Sequence, residues 1–170
     1  MNTNAMRALA ISLAVMMSPA VAGDSPEQDR IDRGRYIVTV GACNDCHTPG
    51  FPESAGTTPV SDWLTGNPVG FQGPWGTTYP RNLRLFVQDL TEAEWLATTR
   101  QPKRPPMPWF VLRDMSDEDL SAIYHFIRSL GPKGTWEPAY ADPGVAVTTP
   151  YIELFPKNLP QVQAHAQAKH

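Results

Sequence analysis

The chain has 170 residues, with 14 Lys and Arg against 17 Asp and Glu, so its formal net charge at pH 7 is −3. This balance argues against a nucleic-acid-binding domain, which needs a basic surface. The 18 prolines and 12 glycines predict long irregular segments between a few helices. After a short targeting segment, the length suits a single domain.

The first segment, residues 1–22, is expected to be a signal peptide. Arg7 is its sole charge, Ala8 to Met17 is apolar, and Ala20-Val21-Ala22 matches a cleavage pattern of small residues, which predicts cleavage before Gly23. The alternative is a membrane anchor, but a membrane span needs roughly twenty apolar residues. We therefore expect a periplasmic protein without a transmembrane span in its mature form.

The first helix is predicted to begin at Ser25-Pro26-Glu27, where Ser is an N-cap, Pro suits the first turn and Glu lies near the positive helix end. It should run to about Val40, with Ile37 and Val38 on its apolar side. Gly34 lies on the same side. Since glycine has no side chain, another helix could cross closely there.

The motif Cys43-Asn44-Asp45-Cys46-His47 follows this helix and reads C-x-x-C-H, the attachment site of a c-type haem. Two thiols on one helical turn can form thioethers with one porphyrin edge, and His47 can then be the proximal iron ligand. The alternatives are a thioredoxin-type thiol pair, a short disulfide or half of a zinc site. The chain has no other cysteine, and no strand–helix alternation lies nearby, so one covalent haem c is favoured.

The segment from Thr48 to Leu83 is rich in Gly and Pro and is predicted to be irregular. Such a long loop inside a compact domain needs a reason, and folding around a cofactor is one. Aromatic side chains can pack on the porphyrin while their polar atoms reach a propionate, and arginine can pair with it. The candidate haem-pocket residues are Trp75, Tyr79, Arg81 and Trp109. Ordinary loop packing or a surface charge is the alternative for each.

Two more helices have clear start signals. Thr91-Glu92-Ala93-Glu94 is a capping box, and its helix should end near Arg100. Ser116-Asp117-Glu118-Asp119 opens a helix that should stop at Gly131-Pro132. The predicted apolar face of this last helix is Leu120, Ile123, Tyr124, Ile127 and Leu130.

These elements divide the chain into a domain at residues 23–132 and a Pro-rich extension at residues 133–170. The extension carries many apolar residues, so it should pack along the domain or against a partner. Its end, Gln161 to His170, is polar and is expected to be disordered.

The distal iron ligand is predicted to be Met107, because Pro106 and Pro108 restrict the backbone around its thioether. Met115 adjoins a helix cap and is interpreted as a core residue. His125 lies off the apolar face of the last helix and is expected to face solvent, although bis-His ligation is the alternative. His/Met ligation fills both axial positions and suits electron transfer, whereas an open distal site would indicate catalysis or gas binding.

The order of these motifs resembles the class I c-type cytochromes over roughly Pro26 to Pro132. The resemblance implies an all-α, cytochrome c-like fold around one covalent haem, with long Gly/Pro-rich loops, an extended tail and Met107 as axial ligand. In that family the first and last helices cross at a small residue beside an aromatic one. Gly34 and Tyr36 can fill those roles here.

The run from Met107 to Leu130 is most similar to cytochrome subunits and domains of periplasmic alcohol and aldehyde dehydrogenases. This implies a monohaem carrier of single electrons between a dehydrogenase and a downstream acceptor such as an oxidase, and not an enzyme in its own right. Two alternatives stay open. One is a haem enzyme or ligand-binding protein with a displaceable Met107, and the other is a fixed dehydrogenase subunit whose tail docks on its partner.

Charge suggests how a partner could dock. Between Arg81 and Arg113 there are six basic residues and three acidic ones, so this span carries +3. Without Arg7 the chain carries −4, which leaves −7 for the rest of the exported protein. A basic region around Met107 would steer an acidic redox partner. A scattered, solvated surface is the alternative.

Overall fold

A computed structural model describes residues 25–158. The predicted signal peptide and the predicted disordered end, Gln161 to His170, lie outside the described residues. The described chain forms α1 (Pro26–Val40), α2 (Cys43–His47), β1 (Gly70–Gly73), β2 (Gly76–Thr78), α3 (Leu83–Phe86), α4 (Glu92–Thr99), α5 (Trp109–Asp114), α6 (Asp117–Ser129) and β3 (Tyr151–Glu153). None of these helices is long and apolar enough to cross a membrane.

The three predicted helix starts are confirmed by their caps. The Ser25 hydroxyl accepts a hydrogen bond from the Gln28 amide at the start of α1. Thr91 and Glu94 form both halves of the capping box of α4. At the start of α6, Ser116 accepts from the Asp119 amide. These contacts satisfy amides that the first turn of a helix leaves without partners.

Helices α1 and α6 cross at Gly34, as the sequence predicts. A Cβ atom at Gly34 would lie 2.0 Å from the carbonyl oxygen of Ala122, so the two backbones touch there. The aromatic residue at this crossing is the buried Phe126, whose Cβ lies 2.8 Å from the same point. The assignment of this role to Tyr36 is wrong, since Tyr36 is 57% exposed. Two residues turn an α-helix by about 200°, which directs Tyr36 away from Gly34.

The apolar core lies between α6 and the elements packed on it. Helix α6 buries more than its predicted face, because Ala122 and Phe126 join Leu120, Ile123, Tyr124 and Ile127 in the core. Trp63 brings the loop after α2 onto this core, with edge-on contacts to Phe51 and Phe126 at ring separations of 5.7 and 6.2 Å. The core therefore holds together segments that are far apart in sequence.

The predicted all-α fold is broadly consistent with the described helices, and the described chain also contains a small three-stranded sheet in the order β2-β1-β3. Strands β1 and β2 form an antiparallel hairpin in which Gly73 pairs with Gly76. Strand β3 then pairs in parallel with β1. The strands have three or four residues each, too short for a visible alternation of apolar and polar residues.

The described part of the extension, residues 133–158, lies along the domain. Ala141 and Thr77 form an antiparallel bridge with N–O distances of 2.8 and 3.1 Å, which covers the outer edge of β2. The Gly70 amide donates to the Pro150 carbonyl at 2.8 Å, where β3 joins the sheet. The extension thus returns to the irregular segment that precedes α3.

Candidate functional site

The side chains of Cys43, Cys46 and His47 lie together because α2 is a single short helix. Its start is set by Ala42, which has a left-handed conformation with φ of 55°. Its end is held by the Gly66 amide, which donates to the His47 carbonyl at 2.9 Å. The end of the motif is therefore anchored to the backbone of the loop that follows it.

Thr48, which directly follows α2, is fully buried. Its hydroxyl donates to the Asn44 side-chain oxygen at 2.7 Å and accepts from the Leu64 amide at 2.8 Å. These two bonds attach the helix to the loop that carries Trp63. The side-chain nitrogen of Asn44, Nδ2, is buried and has no hydrogen-bond partner among residues 25–158.

One nitrogen of the His47 ring has a hydrogen-bond partner, and the other has none among residues 25–158. Its Nδ1 lies 2.8 Å from the carbonyl oxygen of Arg81. Because a carbonyl can only accept, Nδ1 carries the hydrogen and Nε2 carries the lone pair. Burial lowers the pKa of the imidazole, and so favours its neutral form. A neutral imidazole whose other nitrogen is hydrogen-bonded is the usual protein ligand for iron.

The two cysteines are free thiols of low acidity. Burial raises the pKa of Cys43 to about 11. The pKa of Cys46 is also raised, by burial and then by the charge of Asp45. A thioredoxin-type pair depends on a thiol whose pKa is lowered, so these values disfavour that alternative. Over residues 25–158, no group of three or more His, Cys, Asp or Glu side chains could hold a metal ion, as a zinc site would require.

Met107 lies in a segment, residues 101–108, that we call the ligand loop. Its side chain is partly buried, and its carbonyl accepts from the Trp109 amide at 2.8 Å. The Thr78 hydroxyl donates to the Pro105 carbonyl at 2.8 Å, which attaches the ligand loop to β2. Met115, in contrast, packs against the apolar core as predicted. Met107 is not among the side chains of the described chain that pack on that core.

His125 is not the solvent-facing residue that the sequence predicts, because its side chain is only 20% exposed. Its Nδ1 lies 2.8 Å from Glu27 and its Nε2 lies 3.2 Å from Glu92. It therefore joins α6 to the start of α1 and to α4. With a carboxylate at each ring nitrogen, His125 is poorly suited to bind iron.

The four candidate pocket residues have different surroundings. The Trp75 Nε1 is buried and has no hydrogen-bond partner within the described chain. The hydroxyls of Tyr79 and Thr149 are 2.5 Å apart, so Tyr79 holds the extension. Trp109 begins α5, and the Arg113 guanidinium lies 5.3 Å from its ring. Trp75 is thus the candidate whose polar atom most clearly lacks a protein partner.

Arg81 contributes to the site through its backbone. Its carbonyl accepts from His47, while its side chain lies over the Phe86 ring at 4.4 Å and its Nε is 3.4 Å from Glu137. The guanidinium already has a carboxylate partner, so the predicted pairing with a propionate would have to compete with Glu137.

The predicted basic region is smaller in the structure than in the sequence. Arg84 is 4% exposed and donates to the carbonyls of Ser61, Leu130 and Gly131, so it supports the end of α6 and not a docking surface. Arg100 and Arg113 pair with Asp117 and Asp114. The Lys103 ammonium donates to the carbonyls of Thr98 and Gln101, at 2.6 Å each, so the exposed Arg104 is the basic group of the ligand loop that faces solvent.

Two residues that support the site, Asn82 and Glu137, were not predicted from the sequence. Asn82 is fully buried, and its side-chain nitrogen donates to the carbonyls of Lys133 and Thr135 at 2.8 and 3.0 Å. The backbone N–H of Asn82 donates to the Glu137 carboxylate at 2.9 Å. These are contacts over more than fifty positions of sequence, and no local pattern announces them.

The residues of the site fit a covalently attached haem. The chain offers two thiols on one helical turn, an imidazole with Nε2 free, and a partly buried thioether on a loop that is attached to the sheet. The buried indole N–H of Trp75 has no hydrogen-bond partner within the described residues, which fits its assignment as a candidate donor to a haem carboxylate. When bound, the haem would supply one-electron exchange at its iron.

The chain also matches a known protein family. The family model described as Cytochrome c matches residues 31–131, which is more than half of the chain. No curated protein matches the sequence, and no solved structure matches it either. Membership of this family implies a covalently bound haem c and haem-based electron transfer. The chain belongs to the cytochrome c family.

Proposed function

We propose that this protein is an exported, periplasmic carrier of single electrons with one haem c. Cys43 and Cys46 form the thioether bonds, and His47 and Met107 are the axial ligands. The observation that carries the proposal is the hydrogen bond from His47 Nδ1 to the Arg81 carbonyl, which leaves Nε2 free beside the two thiols. A neutral, oriented imidazole at this place in a C-x-x-C-H helix is suited to iron.

Met107 is the proposed distal ligand because its surroundings leave its sulfur available. It lies outside the core that takes up Met115, and the ligand loop is fixed through Pro105 and the Trp109 amide. His125, the rival ligand, is occupied by two carboxylates. A thioether opposite a histidine raises the reduction potential and fills the sixth position, which favours electron transfer over catalysis.

The proposed partner is a dehydrogenase as donor, or an oxidase as acceptor, with an acidic docking surface. The exposed Arg104 lies on the ligand loop, and the exposed Phe110 and Val111 follow it on α5. Apolar side chains beside basic ones suit transient docking, in which charge steers the encounter. The proposal of a dehydrogenase as the donor rests on the resemblance noted for the run from Met107 to Leu130.

A fixed dehydrogenase subunit is the second candidate, because the extension exposes large apolar side chains although it packs on its own domain. Trp136, Ile152 and Phe155 are 55%, 49% and 45% exposed. Native mass measurement of periplasmic extracts separates the two candidates. A free carrier has the mass of one chain, whereas a subunit migrates with a larger flavin, quinone or molybdenum enzyme.

The test of the proposed carrier is a redox titration of purified protein, followed by exposure of the reduced form to carbon monoxide. We expect haem that stays on the chain after denaturation, a reversible one-electron transition and no ready binding of carbon monoxide. Replacing both Cys43 and Cys46 by Ala should abolish covalent attachment. Ready binding of carbon monoxide by the wild type would instead favour a haem enzyme with a displaceable Met107.

A further inference from the structure

A single peptide group lies between His47 and a carboxylate of the extension. The carbonyl of the Arg81–Asn82 peptide accepts from His47 Nδ1 at 2.8 Å. The N–H of the same peptide donates to Glu137 Oε2 at 2.9 Å. The imidazole, the peptide and the carboxylate are therefore connected by two hydrogen bonds through one planar, polarisable unit.

Glu137 is held in position for this contact. Its side chain is 15% exposed, and its other oxygen, Oε1, lies 3.4 Å from the Arg81 Nε. The chain that carries it is tied down by the Asn82 side chain, which donates to the carbonyls of Lys133 and Thr135. The carboxylate therefore has limited freedom to leave the peptide N–H.

An anion bonded to a peptide N–H makes the carbonyl of that peptide a stronger acceptor, because linked hydrogen bonds polarise one another. A stronger acceptor at Nδ1 gives the His47 ring more electron density and makes Nε2 a stronger donor to a metal. Such a ligand stabilises ferric iron more than ferrous iron. In many metal sites, a carboxylate accepts directly from the second ring nitrogen of a metal-bound histidine. Here the peptide group lies between the two.

We propose that Glu137 is a positioning residue that acts through the Arg81–Asn82 peptide to orient His47 and lower the reduction potential of the haem. This rests on the proposed function, since it takes His47 as an iron ligand. It gives the extension a role in the redox centre, although the extension lies outside the segment that carries the motifs.

The experiment compares full-length, haem-containing wild type with Glu137→Gln and Glu137→Leu. The Gln variant keeps an acceptor oxygen and loses the charge, whereas the Leu variant loses both. Glu153→Gln, at an exposed carboxylate of β3, is the control for loss of one negative charge. The readouts are the midpoint potential and, in the reduced protein, the proton resonances of His47 Nδ1–H and the Asn82 amide.

We expect Glu137→Gln to shift the midpoint potential to a more positive value and to move both resonances upfield. Glu137→Leu should shift the potential and both resonances further. Glu153→Gln should leave the potential and both resonances at their wild-type values. If Glu137→Gln matches the control in either the potential or the His47 resonance, the proposal is overturned. If the Leu variant does not fold, the Gln variant still decides.

Covalent haem is confirmed from the optical spectrum of each denatured variant before the comparison. If the wild-type protein carries no covalent haem, the proposed function itself is wrong. Wild-type protein with it, and an unresponsive Glu137→Gln variant, would defeat only the role given to Glu137.

Discussion

At the residue scale, Gly34 sets how closely α1 and α6 approach. A methyl group there would overlap the Ala122 carbonyl, 2.0 Å away, and backbone cannot move aside as a flexible side chain can. We expect Gly34→Ala to lower the free energy of unfolding by about 1–3 kcal/mol, which is typical of overpacking. This loss exceeds the gain of about 0.5–1 kcal/mol that Ala normally brings to a helix.

Urea unfolding of the haem-containing protein measures the effect of Gly34→Ala. Thr39→Ala, at an exposed position on the same helix, is the control and should change stability little. A Gly34→Ala variant as stable as the wild type would show that the helices can separate without cost.

Asn82 is the residue that joins the extension to the segment beside His47. Its side-chain oxygen caps α3 by accepting from the Leu85 amide at 3.1 Å, and its nitrogen donates to two carbonyls of the extension. Asn82→Ala removes a cap and leaves both carbonyls without this donor. The expected loss is roughly 2–3 kcal/mol of unfolding free energy.

The matched control for Asn82 is Asn67→Ala, which removes one local hydrogen bond, from the Val69 amide. Chemical denaturation should show a clearly smaller loss for Asn67→Ala than for Asn82→Ala. Equal losses would mean that the bonds from Asn82 to the extension contribute nothing measurable.

At the element scale, α4 and α6 are linked by the Glu92 carboxylate. It accepts from the Ser121 hydroxyl and contacts His125, and its pKa lies below its usual value of 4.5, chiefly because of the Ser121 hydrogen bond. A carboxyl whose pKa is lower in the folded state binds fewer protons when folded. Its contribution to stability is therefore present above about pH 4.5 and is lost as the pH falls through the lowered value.

The prediction for Glu92 is a difference between two pH values. Wild type should lose more stability than Glu92→Gln when the pH falls from 6 to about 3.5, because the amide does not titrate in this range. Denaturant unfolding of both proteins at each pH gives the four unfolding free energies that are compared. Parallel losses in the two proteins would remove Glu92 from the acid sensitivity of the fold.

Helices were predictable at this scale, and strands were not. The caps of α1, α4 and α6 are local, since Ser25, Thr91 and Ser116 bond to amides three residues away. Strand β3, in contrast, pairs with a strand about eighty positions earlier, and such pairing leaves no signal in a short stretch of sequence. The short helix α5 has no side-chain cap at its start, and α3, which Asn82 caps, has only four residues and so shows no helical periodicity.

The candidate site divides in the same way. The C-x-x-C-H residues are adjacent in sequence, so their chemistry could be read directly. The Arg81 carbonyl could not be foreseen, because every residue has a carbonyl and only the fold selects one. Arg84 looked like a surface charge, but burial of its guanidinium against three carbonyls depends on distant segments.

At the scale of the whole molecule, the ligand loop is held by two other parts of the chain. Thr78 bonds to Pro105, and the Arg104 guanidinium lies 3.9 Å from the ring of Tyr140 in the extension. The Tyr140 hydroxyl in turn donates to the Trp75 carbonyl at 2.8 Å. The sheet, the extension and the ligand loop thus form one continuous support for Met107.

The charge of the ligand loop should influence electron exchange if partners approach there. We expect Arg104→Glu to slow oxidation by the anion ferricyanide about tenfold at low salt, and to speed the reaction with cationic hexaammineruthenium. Lys157→Glu changes the net charge equally and should have a much smaller effect. Stopped-flow rates at several salt concentrations test this, and equal effects of the two variants would refute docking at the ligand loop.

The most direct test of the ligand set is the optical spectrum of oxidised and reduced protein beside that of Met107→Ala. The wild type should show covalent haem in a six-coordinate, low-spin state, with a sulfur-to-iron charge-transfer band when oxidised. Met107→Ala should keep the haem, lose that band and bind carbon monoxide when reduced. A colourless wild type, or a Met107→Ala variant that retains the band, would contradict the account.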